Sequence, residues 1–177
     1  MAIATLAFWM GRNVFIHVQP KGPAFLKEII SGEGLMAMLK LSIIFVFVAI
    51  FWALFDQTGS AWVLQAEDLD RHWLGVHWLP SQIQAINPIM IVVLVPIFGF
   101  AVYPLMDKVF KLTPMRKVSI GLFVMFLGFS IVAVVQQMID QGQQPSIGWQ
   151  IVAYAILTSS EVMVSITSLE FAYTQAP

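Results

Sequence analysis

The chain contains no cysteine and few charged residues, and each scarcity excludes a class of site or partner. Without cysteine there is no disulfide, no thiolate metal ligand and no cysteine nucleophile. Only 11% of the 177 residues are charged, whereas ordinary soluble domains carry roughly a quarter. The net charge of −1 gives no electrostatic attraction to nucleic acid. The histidines fall in predicted loops, and the common hydrolase and phosphate-loop motifs are absent. The sequence therefore predicts no enzyme, no metal site and no cofactor.

Long apolar blocks dominate the sequence. The chain is 59% hydrophobic and its mean hydropathy is +0.82. Four blocks have about the 20 residues that cross a ~30 Å hydrocarbon core, and they cover residues 41–63, 82–105, 117–138 and 148–173. Residues 1–12 are interpreted as the end of another membrane helix, and residues 13–40 as a cytoplasmic loop. The fold class is thus predicted to be an all-α, multi-pass helix bundle in the cell membrane, which is the cytoplasmic membrane if the source is bacterial.

Basic residues lie almost entirely on one side of this arrangement. Eight of the nine precede the first block or separate the second from the third, and the ninth, Arg71, lies in an acidic loop. The positive-inside rule makes the basic side cytoplasmic, so the four helices are predicted to run out, in, out and in. Trp62, Trp73 and Trp78 then lie at the outer rim, where indole rings favour the headgroup region. Packing within the loop is the alternative explanation for these tryptophans.

The fourth block contains a carboxylate, Glu161, near its middle. Ionising a carboxylate inside a bilayer costs a few kcal/mol or more, so such an acid is a candidate for function. Glu161 belongs to a polar series at helical spacing, which consists of Tyr154, Thr158, Glu161, Ser165 and Ser168. On an α-helix this series forms one stripe that requires water, a ligand or a polar neighbour. A neutral Glu161 bonded to another helix is the structural alternative.

A second acid, Asp56, lies in the outer third of the first block. Trp52 precedes it by four residues, so the two side chains are expected to share a helix face. The neighbouring blocks offer Asp56 no obvious basic partner. A structural or gating ion pair and a substrate contact are therefore both left open for it.

The second and third blocks differ in regularity. Pro88 and Pro96 each remove a backbone amide that would close a helical hydrogen bond, which predicts kinks in the second block. Asn87, beside the first kink, offers a neutral hydrogen-bonding group. In the third block Gly121 and Gly128 lie seven residues apart and predict close packing on a neighbouring helix. We interpret the third block as scaffold.

Three segments on separate blocks resemble motifs of the proton-dependent oligopeptide transporter family, a branch of the major facilitator superfamily. They are Phe-Trp-Ala-Leu-Phe-Asp-Gln-Thr-Gly-Ser at 51–60, Gln-Ala-Ile-Asn-Pro at 84–88, and the segment 161–177, which contains Leu-Glu-Phe-Ala-Tyr. The resemblance implies that residues 41–177 form helices 7 to 10 of such a transporter, and that residues 1–12 end helix 6. The implied fold is a partial major facilitator fold.

The resemblance also implies roles for individual residues. The substrate-binding set would be Glu161, Ser165, Asn87 and Trp52, with Glu161 meeting the amino terminus of a peptide. Gating or proton-linked roles would fall to Asp56, Glu161 and Glu170. In the family Asp56 would pair with a basic residue of the N-terminal half, and Glu170 would be a structural or gate partner.

The implied function is part of a proton-coupled symporter for di- and tripeptides, with this chain forming the C-terminal-half wall of the substrate cavity. Its partners would be small peptides, protons, the lipid bilayer and the remaining helices of the same transporter. The family's Glu-x-x-Glu-Arg motif is absent from this sequence, so the chain is expected to be a fragment. Two alternatives remain: a transport-inactive membrane fragment, and a relative that carries another small solute such as nitrate.

Overall fold

The computed structural model describes residues 30–175. The predicted helix end at residues 1–12 and most of the predicted loop at 13–40 lie outside the described residues. From residue 39 onward the described residues belong to one compact unit, which contains every predicted site residue.

The first span begins earlier than the sequence predicts. Helix α1 runs over Gly32–Phe55, so the stretch from Gly32 to residue 40 is helical and the predicted loop is wrong there. The reason is local: Ser31 accepts a hydrogen bond from the Gly34 amide at 3.1 Å and caps the helix. Residues 35–39 are Leu, Met, Ala, Met and Leu, all favourable in helices.

The C-terminal end of this span is not a continuous α-helix. A short 3₁₀ segment, Asp56–Gly59, follows α1, and helix α2 then covers Ala61–Glu67. A tight hairpin follows, with strand β1 at His72–Trp73 pairing antiparallel with β2 at Val76–His77. The amino-acid pattern does not predict these strands.

The second span is the most broken of the four. It consists of helix α3 (Pro80–Ile83), helix α4 (Ile86–Ile97), a π-helical segment (Phe98–Val102) and helix α5 (Tyr103–Val109). Pro88 lies in the first turn of α4, directly after the break between α3 and α4. Pro96 lies just before the π segment. Each irregularity is thus adjacent to a proline that lacks a helical donor.

The third and fourth spans pack closely together. Helix α6 is unbroken over Pro114–Asp140, while the fourth span contains helix α7 (Gly148–Glu161), a π segment (Val162–Ile166) and helix α8 (Thr167–Gln175). Among the described elements, α6 and α7 share the most extensive contact. Gly121 and Gly128 both face the fourth span, and the Ser160 hydroxyl donates to the Gly121 carbonyl at 2.6 Å. Glycine lets the two backbones approach at these points.

The described residues contain four helices long and apolar enough to cross a membrane. They cover residues 34–67, 80–109, 114–140 and 148–172. The predicted all-α, multi-pass membrane bundle is therefore confirmed. Many large apolar side chains of α1, α4 and α6 are exposed, as expected for surfaces that face lipid or other helices.

One prediction about the outer rim is wrong. Trp62 is only 2% exposed. Its ring lies 4.8 Å from that of Tyr154 and 5.5 Å from that of Phe129, both in edge-on contacts. Trp62 is therefore part of the core between the third and fourth spans and not a headgroup anchor, because the aromatic contacts bury its large apolar area. Trp73 and Trp78 are half-buried.

Candidate functional site

The polar side chains of α4 and α7 meet at Asn87. Its amide nitrogen Nδ2 donates to Oε2 of Glu161 at 3.2 Å. The Thr158 hydroxyl lies 2.5 Å from Oδ1 of Asn87 and 2.8 Å from the carbonyl of Tyr154, and donates its single proton toward these two acceptors. Asn87, Thr158 and Glu161 thus form one hydrogen-bonded cluster, which we call the Asn87 cluster.

Secondary structure places these three side chains together. Thr158 and Glu161 are three residues apart, so they project from the same face of α7 near its end. Asn87 lies in the first turn of α4, where the chain has just left the irregular turn after α3. Since α4 packs directly against α7, the amide bridges the two helices.

The polar face of α7 continues from the cluster toward the N-terminus of the helix. The Tyr154 hydroxyl donates to the Thr58 carbonyl at 3.2 Å, and the Gln150 amide donates to the Trp62 carbonyl at 2.7 Å. Both bonds reach the first span where its helix is interrupted, and they satisfy carbonyls there. Gln150 is not among the predicted site residues, although its spacing of four residues from Tyr154 extends the same stripe.

The predicted stripe is interrupted after Glu161 by the π segment. Ser165 lies in the π segment and is half-buried, while Ser168 is only 4% exposed and donates to the Ser165 carbonyl at 3.0 Å. Ile166 and Leu169 are instead exposed. The stripe does not continue to Ser168, because the wider turn of the π segment changes the direction in which later side chains point.

The other predicted site residues lie apart from the Asn87 cluster. Trp52 is 37% exposed and makes edge-on contacts with Phe51 and Phe55, at 5.5 and 5.3 Å between ring centroids. Asp56 and Glu170 are exposed. Within residues 30–175 neither acid forms an ion pair.

Glu161 offers an acceptor to a ligand. The side chain is half-buried, and Asn87 occupies one of its two carboxylate oxygens. Within the described part of the chain the other oxygen, Oε1, has no hydrogen-bond donor. A carboxylate held in this way accepts a proton or a hydrogen bond from a cationic amine.

Comparison with known proteins identifies the family. A model of the POT family matches residues 29–177. The chain belongs to the POT family. The match includes the Asn87 cluster and all four spans, so the family suggested by the motifs is confirmed. POT proteins are transporters and not enzymes, which agrees with the absence of enzyme motifs.

Relatives and a solved structure agree with this assignment. The chain is 43% identical to peptide transporter 3 of Caenorhabditis elegans over 69% of this chain and 17% of that protein. It is 38% identical to solute carrier family 15 member 1 of Mus musculus over 62% of this chain and 16% of that protein. A crystal structure of an auto-inhibited POT family peptide transporter matches with a TM-score of 0.72 and 38% identity, covering 82% of this chain and 28% of that one.

The matches also define how much of a POT protein is present. The chain spans about one-sixth of the length of the first two relatives. Its four spans form a partial transporter fold, and the chain is a multi-pass membrane protein.

Proposed function

We propose that this chain contributes one wall of the substrate cavity in a proton-coupled symporter for di- and tripeptides. In this proposal Glu161 receives the amino terminus of the peptide, and Asn87 holds the carboxylate in position. Ser165 and Trp52 are further substrate contacts. Asp56 and Glu170 act in gating, paired with basic residues of other helices in the assembled transporter. The relatives named as peptide transporters support the substrate class.

The observation that carries this proposal is the geometry of Glu161. Asn87 supplies one hydrogen bond to Oε2 and fixes the side chain without neutralising its charge. The carboxylate therefore remains an acceptor for a proton or for a peptide ammonium group. A purely structural carboxylate at membrane depth is expected to have both oxygens satisfied by the protein. Glu161 is half-buried, and within residues 30–175 its Oε1 has no donor.

An uptake assay tests the proposal. The protein is produced from its native reading frame, reconstituted in proteoliposomes and given a labelled dipeptide under an inward proton gradient. We expect accumulation that a protonophore abolishes and that unlabelled tripeptide inhibits. Absence of dipeptide accumulation, together with gradient-driven uptake of nitrate in the same vesicles, would support the other-solute alternative.

Two variants separate a role in the site from a general effect of losing a carboxylate. Glu161→Gln preserves size and hydrogen bonding but removes the ionisable group, so proton-driven accumulation should be lost while peptide exchange is less affected. Glu67→Gln removes an exposed acid at the end of α2 and should transport normally. Full gradient-driven uptake by Glu161→Gln would show that Glu161 contributes only to packing and would contradict the proposal.

A further inference from the structure

Two of the chain's three histidines face each other on the hairpin between the first and second spans. His72 and His77 are cross-strand partners, and their ring centroids lie 4.7 Å apart. Both side chains are exposed. They lie outside the Asn87 cluster, and transport as proposed above makes no use of them.

The turn of the hairpin determines this arrangement. Leu74 and Gly75 connect the strands with φ values of 52° and 75°, both in the left-handed region that a type I′ turn requires. In such a two-residue hairpin the positions next to the turn, Trp73 and Val76, form a hydrogen-bonded pair. The next pair, His72 with His77, is then of the non-hydrogen-bonded type, whose side chains approach most closely.

Backbone bonds on both sides hold the histidine pair in register. Beyond the pair, the Trp78 amide donates to the Arg71 carbonyl at 3.0 Å. Arg71 and Trp78 thus form the next hydrogen-bonded pair, as the alternation of pair types in an antiparallel ladder requires. The His72 amide donates to Oδ1 of Asp70 at 3.0 Å. Asp70 is itself tied through its backbone to residues 145–147 in the loop before the fourth span. The hairpin is therefore fixed at its base and at its turn.

The spacing of the two rings fits a shared metal ion. Imidazole nitrogens bind Zn²⁺ or Cu²⁺ at ~2.0 Å, and two such rings at ligand angles of 90° to 109° have centroids about 4.5 to 5.2 Å apart. The observed 4.7 Å lies in this interval. Rotation of the exposed side chains is then enough to direct one nitrogen of each ring at a common point.

We propose that His72 and His77 form a two-histidine site for a divalent transition-metal cation on the loop between the first two spans. Imidazole pairs favour Cu²⁺, Ni²⁺ and Zn²⁺ over Mg²⁺ and Ca²⁺, which prefer oxygen ligands. Within residues 30–175 no set of three or more metal-ligating side chains is grouped closely enough to hold an ion. The protein therefore supplies two ligands, and water or a bound solute completes the coordination.

A bound ion would add a cross-link between the two strands of the hairpin. This cross-link joins β1, which follows the first span, to β2, which leads directly into the second span and Asn87. The metal restrains the connection between two spans that both contact the fourth span through the Asn87 cluster and its neighbours. In the sequence the two histidines are separate loop residues that predict no metal site, and only the strand register brings them together.

The test is Cu²⁺ binding to the tag-free 177-residue chain in detergent micelles, followed by electron paramagnetic resonance. We expect one tightly bound Cu²⁺ per chain with hyperfine splitting from two nitrogen ligands. His72→Gln or His77→Gln should weaken binding at least tenfold, since loss of a direct ligand is expected to exceed the ~10-fold lower bound seen for outer-shell partners. His17→Gln, which removes the third histidine, is the matched control and should bind as the unaltered chain does.

A turn variant provides an independent check that leaves both histidines in place. Leu74→Asn creates Asn-Gly, the preferred sequence for this turn, and should keep or tighten Cu²⁺ binding by stabilising the hairpin. Circular dichroism verifies that the helix content of each variant is unchanged. Binding that survives both histidine changes, binding that is lost in His17→Gln, or the absence of two-nitrogen splitting would each overturn the proposal.

Discussion

Replacement of Gly121 by alanine tests the closest contact between the third and fourth spans. A Cβ added at Gly121 would lie 2.6 Å from Cγ2 of Val164 and 3.1 Å from Cβ of Met163. The first distance is roughly 1 Å shorter than the ~3.5–4.0 Å optimum between carbon atoms. Rotation of the Val164 side chain relieves only part of this overlap, because Cβ of Met163 is fixed to the backbone. The two helices must therefore separate.

The expected cost follows from two opposing effects. Adding a methyl group to a well-packed contact costs typically ~1–3 kcal/mol, and the 2.6 Å bond from Ser160 to the Gly121 carbonyl is stretched as the helices move apart. Against this, alanine is favoured over glycine in a helix by about 1 kcal/mol. We therefore expect Gly121→Ala to lower the free energy of unfolding by roughly 1–2 kcal/mol.

Gly128→Ala is the matched control on the same helix. A Cβ at Gly128 would meet its nearest neighbours at 3.5, 3.6 and 3.7 Å, which are ordinary contacts. Only the gain in helix propensity remains, so we expect unchanged stability or stabilisation of up to about 1 kcal/mol. Equilibrium unfolding by sodium dodecyl sulfate in mixed micelles, followed by circular dichroism, measures both variants. Equal stability of the two variants, or a less stable Gly128→Ala, would refute the close approach at Gly121.

Two further predictions concern orientation and the polar face of α7. Single cysteines at Lys27 and Lys111 should resist an impermeant thiol reagent in intact cells, whereas one at Asp68 should react, and the chain has no native cysteine to interfere. The reversed labelling pattern would contradict the assigned orientation. Tyr154→Phe removes the hydrogen bond to the Thr58 carbonyl but keeps the ring, so it should cost about 0.6 kcal/mol and at most ~1.7 in the micelle unfolding assay. A variant as stable as the unaltered chain would show that this bond contributes nothing.

The features that sequence alone predicts are those that depend on length and local spacing. The four spans follow from apolar length, because a membrane helix must satisfy its own backbone whatever it packs against. The pairing of Thr158 with Glu161 follows from their separation of three residues. Gly121 and Gly128 likewise indicated a contact face, which the structure places against the fourth span.

The features that sequence did not predict depend on tertiary contacts or on unusual local geometry. The hairpin turns at Leu-Gly, and leucine is disfavoured at the positive φ that it adopts there. Because Leu-Gly is not one of the preferred turn sequences, the sequence does not predict the hairpin. Tryptophan is typical of the membrane rim, and only the contacts of Trp62 with Tyr154 and Phe129 show that it is buried. Neither observation is contained in the local sequence.

The π segment of the fourth span has a consequence for how its mutants are designed. A π turn accommodates one more residue than an α turn, so it is equivalent to a single-residue insertion in a continuous helix. Every residue after it is one position out of phase with those before it. The Ser168 hydroxyl therefore lies off the line defined by Tyr154, Thr158 and Glu161, where it donates to the Ser165 carbonyl. Deletion of one residue within 162–166 removes the extra residue of the wide turn, so the helix becomes regular while the later side chains keep their present directions.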